Sequence, residues 1–166
     1  MSSAAQEAVL EQNNASKGAA AMQLVSFRLD KEEYGVEITK IREIILVSEI
    51  TQVPETPNYV KGLINIRGTV IPVIDMRTRF GFSEGELTSE SRIMVLHVGD
   101  KTIGIIVDGV SEVLRVTQDQ IAPPPPTVAG LGREYLTGLV KLDDRLLILL
   151  DIDKILDKED TAALGQ

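Results

Sequence analysis

Apolar positions in this chain fall into short runs that alternate with polar ones, and Gly, Pro and acidic residues separate the runs. Gln23 to Leu29 sets Leu24, Val25, Phe27 and Leu29 around Ser26 and Arg28, the pattern of a half-buried strand. Asp30 to Glu33 reads as a charged turn, and Tyr34 to Ile38 alternates again. Thr39 to Leu46 fits two periods, because Ile41, Ile44 and Ile45 also have helical spacing. A matching stretch further on, Asp108 to Leu114, contains Gly109 and β-branched residues that disfavour a helix. Both stretches are therefore predicted as strands.

Tyr59 to Met76 is the organising stretch. Thr56 suits a cap, Pro57 a first helical position and Gly62 a left-handed exit. Leu63 to Ile66 and Val70 to Ile74 then form a hairpin around Arg67-Gly68, which lifts a cation to the tip. Pro72 cannot donate to a ladder, so it predicts an edge or a bulge. Arg77 to Phe80 predicts a short helical turn and Gly81 to Ser91 a polar loop.

The chain then repeats itself. Tyr59 to Phe80 lies over Tyr135 to Leu156, matching Tyr59 with Tyr135, Gly62 with Gly138, Leu63 with Leu139 and Asp75 with Asp151. Upstream, YGVEITKIREII lies over IGIIVDGVSEVL, matching Gly35 with Gly104, Ile41 with Val110 and Glu43 with Glu112. The order is kept in both halves, as expected for two copies of one supersecondary unit. At the hairpin tip the copies differ, since Arg67-Gly68 lies over Asp143-Asp144. A cation absent from one copy is not demanded by the fold, so Arg67 is a functional candidate. Ile93 to Val98, Ile103 to Asp108 and Ser111 to Val116 complete the second half's strands. Thr117 to Gln120 reads as a capped turn, Ile121 to Gly132 as a long loop and Asp151 to Lys158 as a terminal helix. About five short strands per half predict two small barrels sharing an apolar face.

Composition narrows the function. The chain has 166 residues, 43% of them hydrophobic and only 4% aromatic, with no Trp, so its core rests on Val, Ile and Leu. A net charge of −8 argues against nucleic acid and anionic membranes as partners. The absence of Cys excludes disulfides and thiolate chemistry, and it suits a reducing cytosol. The longest apolar run, Leu146 to Leu150, is far short of the roughly 20 residues that span a bilayer. The first twenty-odd residues lack the basic start and apolar centre of a secretory signal.

Little catalytic chemistry is on offer. His97 is the lone histidine and sits at an outward position of a strand, so no metal set or cofactor is expected. Asp151 and Asp153 suit a helix start, Asp108-Gly109 a turn, and Pro123 to Pro126 a stiff loop. Glu43 and Glu112 are repeat-related carboxylates, but no nucleophile or phosphate loop accompanies them. Three functions stay open on the residues: an adaptor with apolar strand faces, a barrel binding a small ligand or acting on one, and a nucleic-acid binder. Net acidity and sparse aromatics count against the last.

The motifs EEYGVEITKIREI, KGLINIRGTVIPVIDMR, IGIIVDGVSEVL and EYLTGLVKLDDRLLILLDIDKIL, in that order, resemble the bacterial chemotaxis coupling proteins of CheW type. The likeness runs from about Leu24 to Leu156. It implies two intertwined five-stranded SH3-like barrels with short helical turns and a C-terminal helix. It also implies a CheW-like domain over residues 23–158, with a first barrel about 24–85, a second about 91–157, and strands open to exchange between them. Residues 1–22 and 159–166 are then a disordered and a frayed tail. The implied role is a non-catalytic adaptor, without cofactor, that joins chemoreceptor cytoplasmic tips to the regulatory domain of the histidine kinase CheA. It would be cytoplasmic, recruited to membrane receptor arrays without inserting in the membrane. The family positions tied to partner contacts match Ile41, Glu43, Gly62, Arg67, Gly68, Val110, Val113 and Gly138 here.

Overall fold

The computed structural model describes residues 21–82, 85–123 and 136–154. The predicted N-terminal tail, all of the proline run but Pro123, and the later part of the helix expected over Asp151 to Lys158 lie outside these residues. The first half contributes β1 (Ala21–Leu29), β2 (Glu32–Glu37), β3 (Ile41–Leu46), β4 (Val60–Ile66), β5 (Thr69–Asp75) and the short helix α1 (Met76–Arg79). The second contributes β6 (Arg92–Val98), β7 (Lys101–Val107), β8 (Gly109–Thr117), the two-residue β9 (Ile121–Ala122), β10 (Leu136–Lys141) and β11 (Leu146–Leu150).

These strands form two sheets, ordered β8-β1-β2-β11-β10-β9 and β3-β6-β7-β5-β4. Apart from β9, either order becomes the other when the halves are interchanged. The parallel contacts obey the same rule, β2 with β11 and β5 with β7. So do the bulges, which fall beside Arg42 and Ser111 in the edge strands and beside Lys61 and Thr137 in the hairpins. Strand exchange is extensive: the hairpin β1–β2 pairs with second-half strands, and β6–β7 with first-half ones.

Three apolar clusters follow from that exchange. Ile64, Ile71, Val73, Ile93 and Val95 fill the interior of the five-stranded sheet. Leu24, Val116, Val140, Leu147 and Leu149 fill the other. The largest lies between the sheets and joins Val25, Phe27, Tyr34 and Val36 to Met94, Leu96, Ile103 and Ile105. Alternation explains this layout, since successive side chains of β1 point into its own sheet's interior and into the shared face.

Several local expectations are corrected. Thr56 does not cap a helix; its hydroxyl donates to the Val53 carbonyl at 3.0 Å in an irregular turn. Gly62 is inside β4 at the bulge, with φ 150°, rather than at a helix exit. Gly138 is equally inside β10 and does not have positive φ. Both glycines are required by close backbone approach instead. A Cβ on Gly62 would stand 2.2 Å from the Thr51 carbonyl oxygen, and one on Gly138 2.6 Å from that of Ala122. Pro72 marks neither an edge strand nor a bulge. It pairs with Leu63 in β5, and the second neighbour, β7, joins only from Val73, so no ladder needs its missing N–H. The loop expected from Ile121 begins instead with β9, which lies along β10. The terminal helix starts as a 3₁₀ turn, Ile152–Lys154.

Candidate functional site

The hairpin tip is a two-residue turn in which Arg67 has φ 51° and Gly68 φ 87°. Positive φ at both central positions is the hairpin turn whose twist matches its strands. Asn65 Oδ1 accepts the Gly68 N–H at 2.9 Å and fixes the turn. Arg67 is thereby aimed at Glu43, to which its two terminal nitrogens donate at 3.2 and 2.5 Å. Glu43 belongs to β3, one edge of the sheet, and the turn leaves β4, the opposite edge. The pair therefore clasps the two edges together. The guanidinium holds the Glu43 carboxyl below the usual carboxylate range, and Glu43 in turn raises Arg67. Arg67 keeps 67% of its side chain exposed against 23% for Glu43, so the cation faces outward from the clasp.

The second barrel has the same clasp, built differently. Sequence alignment set Asp143 opposite Arg67 and left Glu112 without a cation. The hairpin β10–β11 instead turns through four residues, and Arg145 at its end donates to Glu112 at 2.6 Å. Arg145 also donates to Glu33 at 2.7 Å and pairs with Asp144 at 3.2 Å. The cation expected to be absent from the second copy is present after all, because a longer turn supplies an arginine two positions downstream of Asp143. Its charge is spent on three carboxylates, whereas Arg67 has one, which leaves Arg67 the cation better placed to meet a partner. A lone Arg following Asp143-Asp144 was the available signal.

The apolar candidates border the face between the sheets. Ile41 stands opposite Leu96 and Val110 opposite Phe27, and both pack on the shared cluster. One step past the bulge on the same face come Ile44, opposite Met94, and Val113, opposite Val25. Ile44 is 39% exposed and Val113 45%, so these aliphatic groups meet solvent where the shared core ends. Ile44 was not among the sequence candidates; the signal for it is its repeat match to Val113. Gly62, Gly138 and Gly68 shape the backbone around these positions and present no side chain.

Asp108 and Asp153 both make ion pairs, with Arg77 at 2.8 Å and Lys40 at 2.9 Å. His97 is exposed on β6. Among the described residues no group of His, Cys, Asp or Glu is arranged to hold a metal ion, and no helix is long and apolar enough to cross a membrane.

Two barrels with exchanged strands and apolar edges define a binding module, and comparison with known proteins places it. The CheW-like domain model matches residues 23–160. The chain is 43% identical over 136 residues to the chemotaxis protein CheW of Klebsiella aerogenes, covering 82% of each. It is 36% identical over 147 residues to that of Treponema pallidum, covering 86% of each. The crystal structure of the scaffolding protein TtCheW from Thermoanaerobacter tengcongensis superposes with a TM-score of 0.79 at 34% identity, covering 85% of this chain and 96% of that one. The chain belongs to the CheW-like family, whose members are non-catalytic chemotaxis adaptors. The enzymatic and small-ligand readings are not favoured.

Proposed function

We propose that this adaptor couples the cytoplasmic tips of chemoreceptors to the regulatory domain of the chemotaxis histidine kinase, and is held at membrane receptor arrays through the receptors. The receptor tip docks on the apolar seam of Ile41, Ile44, Val110 and Val113. The rim formed by Glu43, Arg67 and Gly68 meets the kinase domain. The observation that carries this reading is the exposure of Ile44 and Val113 at equivalent places in the two halves, each paired with a residue of the shared core, Met94 or Val25. Burying an aliphatic side chain contributes roughly 1.5–3 kcal/mol, enough for two such residues to anchor a helical partner. Membership of a scaffold family supports the same reading.

The test is Val113→Glu in a binding assay with a receptor-tip fragment. At 45% exposure Val113 is not core, so the variant should fold and lose binding. A folded variant that binds as wild type does would refute the seam as the docking site.

A further inference from the structure

The repeat-related edge strands β3 and β8 are each rooted by an ion pair between the halves, and the two pairs have opposite polarity. At the root of β8, Arg77 of α1 donates to Asp108 at 2.8 Å and reaches Asp30 at 3.4 Å. The same Asp108 oxygen accepts the backbone N–H of Asp30 at 2.7 Å, and the Asp108 N–H donates to the Arg28 carbonyl at 2.9 Å. At the root of β3, Lys40 donates to Asp153, in the turn after β11, at 2.9 Å. In the repeat Arg77 corresponds to Asp153, so one half offers the cation where the other offers the anion.

We infer that Arg77 and Asp108, with Lys40 and Asp153 as their counterpart, are positioning residues that fix β8 and β3 where their aliphatic side chains form the docking seam. The inference rests on the seam reading above. An edge strand has a ladder on one side only. In β8 the bulge beside Ser111 interrupts that ladder directly after Val110, leaving only Gly109 and Val110 paired between root and bulge. In β3 only Ile41 is paired before the bulge. So short a ladder restrains the root weakly, and the ion pair adds a side-chain anchor, at β8 beside the main-chain bond from Asp108 to Arg28. The β8 anchor is the better shielded from water, with Arg77 19% and Asp108 30% exposed against 37% and 46% for Lys40 and Asp153. Val110 and Val113 should therefore be held more firmly than Ile41 and Ile44.

The test measures three quantities on Asp108→Asn and Arg77→Lys. They are affinity for the receptor-tip fragment, affinity for the kinase regulatory domain, and hydrogen exchange at the amides of Val110 to Val113. Asp108→Asn should weaken the tip fragment about tenfold, as coupling through a packed network allows, and speed exchange at those amides. Kinase-domain affinity should stay unchanged, since Arg67 and Glu43 lie on the other sheet. Arg77→Lys keeps the charge beside Asp108 but not the second contact to Asp30, so its tip affinity and exchange should fall between wild type and Asp108→Asn. Two results would overturn the inference: a folded Asp108→Asn with wild-type tip affinity and exchange, or equal loss of both partners in step with Tm. Val113→Glu serves as control. If it binds the tip normally, the seam reading fails, and hydrogen exchange alone then decides whether Asp108 positions β8.

Discussion

Arg145 reaches Glu112 across the second barrel at 2.6 Å, and this one contact restores the symmetry that the hairpin sequences conceal. Each barrel is closed by an arginine from a hairpin turn gripping a glutamate on the opposite edge strand. The two differ in what remains free. Arg145 is held by Glu112, Glu33 and Asp144, and is raised chiefly by its hydrogen bond to Glu112.

Replacing Arg145 should therefore act on the fold. Arg145→Ala leaves Glu33 and Glu112 facing each other without a cation, and thermal unfolding should show a lower Tm that recovers partly in high salt, where like charges are screened. Kinase-domain binding should not change. An unaltered Tm at low salt would contradict the structural role.

Arg67→Ala should do the reverse. An exposed clasp adds little to folding, so Tm should move little while kinase-domain affinity falls roughly tenfold, as for a side chain at an interface hot spot. The partner explanation divides in two. If Glu43→Arg with Arg67→Glu restores binding, the geometry of the pair matters; if not, the partner reads Arg67 itself. Wild-type affinity in Arg67→Ala would sink both versions. Titration of Glu43 by NMR gives an independent check. Its carboxyl should move up toward the ordinary range once Arg67 is removed, because the hydrogen bond that lowers it is gone.

Glycine substitutions should separate space from conformation. A Cβ on Gly62 meets the Thr51 carbonyl and an unfavourable φ together, and one on Gly138 meets the Ala122 carbonyl and the Ile121 side chain without the φ penalty. Gly68 has positive φ but open space around it. Overpacking costs roughly 1–3 kcal/mol, so denaturant melts should rank the Ala variants Gly62 worst, Gly138 next and Gly68 mildest. Gly138→Ala as stable as wild type would show that β9 yields easily.

Tyr34 supplies a pH dependence. Burial, with Glu32 and Asp30 nearby, pushes its hydroxyl up to about 12 from 10.0. The unfolded chain ionises first, so the stability from a neutral Tyr34 is intact below pH 10 and is lost as pH rises from 10 to about 12. Tyr34→Phe should flatten the fall of Tm across that window. An equally steep fall would mean that other groups govern alkaline unfolding.

Much of this was legible because the repeat and the turn chemistry agree. Gly68 marked the hairpin, Arg67 was legible as the cation at its tip, and the bulky Val, Ile and Leu runs marked strands. What stayed hidden depends on geometry that spacing does not encode. An ungapped alignment set Asp143 over Arg67 and so concealed Arg145, because the two turns differ in length. Turn chemistry suggested a left-handed exit at Gly62, whereas Gly62 and its repeat match Gly138 share a close carbonyl neighbour instead. A repeat also leaves open which copy supplies the strand beside β1, and only the pairing of β1 with β8 answers that.

The most direct measurement of the adaptor account is one reconstitution with wild-type chain, receptor-tip fragment and kinase regulatory domain together, read by size-exclusion chromatography with light scattering. The account expects a ternary complex, reduced to chain plus kinase domain by Val113→Glu and to chain plus receptor tip by Arg67→Ala. Competition between the two partners for the wild-type chain, or loss of both partners in either variant while it remains folded, would contradict separate docking surfaces.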